Sequence, residues 1–79
     1  MDTGQMPISS VPVGKSARIV RLQNSGENRR RFLDLGLIPG TVVEVLFKSP
    51  AQNPVAYKIR GAVIALRNED AADIIVQLI

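Results

Sequence analysis

Apolar and polar residues alternate along much of this chain, and the breaks in that alternation mark its elements. In residues 16–22, Ala17 and Ile19 share one face while Val20 and Leu22 share the other. A strand that changes phase midway predicts a bulge or strong bend near Val20 and Arg21. Residues 41–48 form the clearest strand. Val43, Val45 and Phe47 face one way; Val42, Glu44, Leu46 and Lys48 face the other. Both sides are largely apolar, which predicts a central strand with Phe47 in the core. After a turn cluster at residues 49–54, Val55, Tyr57 and Ile59 alternate with Ala56, Lys58 and Arg60. This predicts a half-exposed strand with Tyr57 packed. Gly61 marks a tight return into residues 62–67, where Ala62, Ile64 and Leu66 alternate. A polar step at 68–73 allows one helical turn, and residues 74–79 read as a last strand. At the start, residues 1–7 are polar, with Gly4 and Pro7, and predict a loose end. Ile8 and Val11 stand at helical spacing, but Pro12 limits that helix to one turn.

The period changes once more, at residues 29–40 (RRRFLDLGLIPG). A helix is predicted from 26 or 27 to 35, with Asn24 or Ser25 as its cap. Stepping 100° per residue puts Phe32, Leu33, Leu35 and Gly36 on one arc and Arg30, Arg31 and Asp34 on the opposite one. Arg29 falls on the apolar side, its stem along the core edge and its head in solvent. Glu27 and Arg31 are spaced for an i,i+4 pair. Gly36 suits the left-handed residue just past a helix end. Pro39 and Gly40 suit the centre of a type II turn. About five short strands and one helix, linked by hairpin-like turns, predict a small antiparallel barrel or sandwich.

Length limits this to one small domain, because 79 residues leave no room for a two-lobed site. The chain has no cysteine and no histidine. Disulfides and Cys- or His-based catalysis are therefore excluded, and zinc, haem and iron–sulfur sites lack their ordinary ligands. No cofactor and no metal site is expected. A net charge of +3 favours an acidic partner, a membrane surface or nucleic acid without choosing among them. No signal core or 20-residue apolar run appears, which predicts a soluble, cytoplasmic protein.

Several stretches suggest chemistry. Residues 9–16 (SSVPVGKS) approach the phosphate loop GxxxxGK[ST]. However, the first glycine is a serine, no strand precedes it, and a strand rather than a helix follows. The reading is a turn at Gly14. Arg29, Arg30 and Arg31 could grip phosphates, yet the wheel splits them between faces, as in a solvated helix. Glu69, Asp70 and Asp73 read as a solvated acidic turn. Phe32 and Leu33 read as core. Leu35, Leu37 and Ile38 stand beside arginines near a turn, and an apolar patch rimmed by arginines is a protein-binding surface. For Leu37 and Ile38, core and contact surface are equally open. The contact candidates are Arg30, Arg31, Leu35, Leu37 and Ile38, with Arg60 on the rim.

The chain also resembles a known family. Ile8, Val11, Gly14, Ala17, Ile19 and Leu22 resemble the opening rhythm of FeoA domains. Residues 30–40 (RRFLDLGLIPG) are similar to their signature helix and turn, with Phe32 where leucine is frequent. Val43, Val45, Pro54, Val55, Gly61, Ala65, Leu66, Arg67, Ala71, Ile74 and Val76 fit the rest. The resemblance implies an SH3-like barrel in a small cytosolic protein of bacterial ferrous iron uptake. It also implies contact with FeoB, a membrane transporter with a cytosolic GTPase domain, and no enzymatic role. Alternatives are a nucleic-acid-binding barrel, a stand-alone relative of the C-terminal domain of DtxR-type metal-dependent regulators, or weak self-association through a barrel edge.

Overall fold

The phase switch in the first long strand is a bulge. A computed structural model describes residues 4–79. There β2 (Ser16–Leu22) pairs antiparallel with β6 (Ile74–Leu78), setting Ile19 opposite Val76 and Arg21 opposite Ile75. Val20 is the extra residue. The slip turns Ala17, Ile19 and Leu22 all into the core, which a regular strand could not do.

A second bulge has no counterpart in the sequence reading. Between β3 (Val42–Lys48) and β4 (Val55–Ile59), Val45 lies opposite Tyr57 but Phe47 lies opposite Ala56. Leu46 is the extra residue, and Phe47 shares the outer face with Ala56. The inward placement of Phe47 is therefore overturned: its side chain is 58% exposed. Tyr57, by contrast, is buried as expected.

The sheet has six strands in the order β1-β6-β2-β3-β4-β5, all neighbours antiparallel. The sixth is β1 (Gln5–Pro7), where a loose end was expected. Residues 1–3 lie outside the described residues. β1 pairs with β6, and Met6 packs against the core. Pro7 is tolerated because this is an edge strand. The Arg21 guanidinium donates to Gln5 Oε1 at 2.9 Å, a further tie to β2. At the opposite margin β5 (Ala62–Leu66) follows β4 through a two-residue turn. Met6 and Ile64, from the two margins, pack against one cluster. The sheet is thus rolled around a single core, the SH3-like barrel expected. β3 is interior to the sheet, also as expected.

Residues 8–16 hold a single 3-10 turn (Ile8–Ser10), then Gly14 with φ of 89°, then the start of β2. This is the turn expected there, with no helix whose N-terminus could hold a phosphate. α1 (Gly26–Asp34) crosses from β2 to β3. Ser25 is its N-cap residue but makes no side-chain capping bond. Instead Arg29 Nη1 donates to the Leu22 carbonyl at 3.2 Å, fastening the helix to the end of β2. The short helix α2 (Asn68–Ala71) borrows its cap from a remote turn. Asn53 Oδ1 accepts from the Asn68 backbone N–H at 3.0 Å, and Asn68 Nδ2 donates to the Gln52 carbonyl.

Candidate partner-binding surface

The end of α1 is built so that two adjacent apolar residues part company. Gly36 takes φ of 97°, and its N–H bonds to the Leu33 carbonyl while the Leu37 N–H bonds to Phe32. That pair of bonds is the Schellman arrangement, whose usual companion is an apolar contact between the residue after the glycine and one in the last turn. Leu37 and Phe32 are both fully buried. Leu37 is therefore core, and its place among the contact candidates is withdrawn. Pro39 and Gly40 then reverse the chain, with the Thr41 N–H bonded to the Ile38 carbonyl at 2.9 Å and Gly40 at φ of 94°. The turn leaves Ile38 39% exposed.

Leu35, the C-cap residue of α1, is 42% exposed. With Arg31, one turn earlier, it lines a groove of about 410 Å³ whose other walls are Ala65, Leu66, Arg67 and Asp70. Helix α1 thus stands on one side, and the end of β5 with α2 on the other. Arg31 Nη2 lies 3.5 Å from Asp70 Oδ2, replacing the expected partner Glu27. The arginine side of this pair is largely exposed, so it contributes less than about 1 kcal/mol. Its role is to orient Arg31 across the groove, where the guanidinium also lies 5.4 Å from the Phe32 ring centre.

Arg60 reaches the same region from the β4–β5 turn. A Cβ placed on Gly36 would stand 3.6 Å from Arg60 Cδ, so the arginine stem passes beside the helix exit. The structure therefore brings Arg31, Leu35 and Arg60 to one end of the barrel, with Ile38 where the Pro39–Gly40 turn begins. Arg30 is exposed on α1 and does not line the groove.

Sequence reasoning missed Ala65, Arg67 and Asp70. Arg67 follows the alternating run of β5, and Asp70 belonged to a step read as merely solvated. Only the packing of β5 and α2 beside α1 shows that they face Arg31. Among the described residues, no three His, Cys, Asp or Glu side chains come together as a metal site, and no helix is long and apolar enough to cross a membrane.

The FeoA domain pattern matches residues 6–78. A Porphyromonas gingivalis protein, a fusion of Fe(2+) transport protein A with the Fe(2+) transporter FeoB, is 39% identical over 74 residues. The match takes in 94% of this chain and 9% of that much longer relative. The crystal structure of FeoA from Stenotrophomonas maltophilia, an SH3 domain protein complexed with zinc, superposes with a TM-score of 0.81 at 26% identity. It covers 91% of this chain and 89% of that one. A manganese-dependent transcriptional repressor shares the fold alone, with a TM-score of 0.86 at 16% identity over 100% of this chain and 44% of its own.

Proposed function

Since this chain belongs to the FeoA domain family, whose members serve ferrous iron transport, we propose that it is a non-enzymatic accessory that binds the cytosolic part of a FeoB transporter. The observation that carries this reading is the fused relative, in which an FeoA segment and FeoB are one polypeptide. Fusion holds two parts at high effective concentration, which serves parts that act in contact. The surface that supports it is the end of the barrel where Leu35 and Ile38 are exposed beside Arg31 and Arg60. Apolar centres rimmed by arginine suit protein partners. With no cysteine or histidine in the chain, a role through contact fits better than handling of the ion itself.

The test is co-purification of the chain with the FeoB cytosolic domain, with and without guanine nucleotide. Wild-type chain should be retained. A variant combining Arg30→Glu and Ile38→Asp should fold, lose retention and fail to support ferrous uptake. Normal retention and uptake in that variant would sink the proposed surface. The nucleic-acid reading gains one exposed aromatic, Phe47, beside Lys48. It requires retention of RNA or DNA on filters that falls steeply with salt.

A further inference from the structure

The margin of the sheet at β5 is unusual for an exposed edge. Edge strands are normally short, charged or interrupted by proline, because their free backbone groups template pairing with other chains. β1, at the other margin, obeys this with three residues and Pro7. β5 is five apolar residues, Ala62–Leu66, with no charge and no proline, and among the described residues no strand lies beyond it. Val63 is 60% exposed.

Its hydrogen-bonding phase follows from the turn before it. Arg60 and Gly61 both have positive φ, 52° and 82°, as a two-residue hairpin of the primed type requires. The flanking pair Ile59 and Ala62 then exchanges hydrogen bonds, and the pattern alternates outward. Ala62, Ile64 and Leu66 turn their N–H and C=O toward β4. Val63 and Ala65 turn theirs to the free side. Charge completes the pattern. Arg60 precedes the strand and Arg67 follows it, both exposed. Among the described residues the only ion pair is Arg31–Asp70, so these two arginines are not neutralised.

We propose that the β5 edge takes up an extended segment of a partner, apolar at its centre and acidic at both ends, as an added strand. It would hydrogen-bond through the backbone of Val63 and Ala65 and lay one side chain in the groove beside Leu35. This deepens the contact reading above and rests on it. The charges decide the occupant. Pairing with a second copy, two-fold about Ile64, would set Arg67 opposite the second copy's Gly61, beside its Arg60, at both ends of the ladder. Like charges so placed repel. Acidic flanks meet the same arginines favourably, and main-chain bonds supply affinity in strand addition.

The probe is a blocked heptapeptide, five alternating threonines and valines between two glutamates, against the same peptide with lysine ends. Amide exchange at Val63 and Ala65, read by NMR, should slow about tenfold at a glutamate-peptide concentration about ten times its Kd. The lysine peptide should leave both amides unchanged. Equal slowing by both peptides, or none at these amides, overturns the proposal. Ala65→Pro removes an outward N–H without breaking a β4 bond and should abolish retention by the FeoB cytosolic domain. If it unfolds the chain, Val63→Lys serves the same comparison. Retention by the edge variant, with loss in the Arg30→Glu, Ile38→Asp variant, defeats the added strand but leaves the contact surface. Retention by both defeats the contact reading itself. A dimer in light scattering that Ala65→Pro abolishes would make the occupant a second copy, against the proposal.

Discussion

Leu37 and Ile38 show how little sequence separation constrains the fate of a side chain. They are consecutive, both branched aliphatics, and both lie between two glycines. Leu37 is fully buried because the backbone at Gly36 turns it onto Phe32, while the reversal at Pro39 leaves Ile38 partly in solvent. Leu37→Ala should therefore cost about 2–5 kcal/mol, as removal of a buried leucine leaves a cavity. Ile38→Asp removes a side chain already partly in solvent and should cost less, about 1 kcal/mol. Urea unfolding of the two variants checks the contrast, and similar losses for both would refute this division of roles.

The β4–β5 hairpin carries the same tension at the level of an element. Its first turn position needs positive φ, which asparagine or aspartate adopts more readily than a long side chain. The chain has Arg60 there, at φ of 52°. A left-handed non-glycine residue costs on the order of 1 kcal/mol. The cost is understandable if Arg60 is kept for what its head meets, since its stem passes the helix exit at Gly36. Arg60→Asn is expected to raise stability by about 0.5 kcal/mol, or a melting temperature higher by about 2–4 °C. The same variant should weaken retention by the FeoB cytosolic domain. Calorimetry and retention together decide it, and a variant that loses stability or keeps full retention counts against this account.

For the molecule as a whole, the buried Tyr57 makes folding depend on pH in the alkaline range. It lies in the core cluster, and burial pushes its phenol from the ordinary 10.0 up to about 12. The unfolded chain then loses the phenolic proton first. Its contribution is fully present below pH 10 and is lost as pH rises from 10 through 12. The shift amounts to about 1.3 kcal/mol of stability lost between pH 9 and pH 11. The measurement is the difference between the chain and its Tyr57→Phe variant, followed by urea unfolding at both pH values. Parallel curves for the two proteins would remove the effect.

The sequence by itself determined strands β2 to β6, the helix α1, the glycine that ends it, the turn glycine that follows and the first bulge. Each of these leaves a local mark: a period, a positive-φ glycine, or a change of phase that carries apolar residues from one face to the other. The second bulge left no mark, because Val45, Leu46 and Phe47 are apolar in either phase. Only pairing with β4 decided that Phe47 turns outward. β1 was hidden too, since a three-residue edge strand is made by its partner β6 rather than by its own composition. The groove was decided wholly by tertiary structure. Arg31 and Leu35 were readable as an exposed helix end, but Ala65, Leu66, Arg67 and Asp70 join them only when the sheet rolls up. A rolled sheet sets its last hairpin against the helix that joins its middle strands, and no local pattern along the chain encodes that meeting.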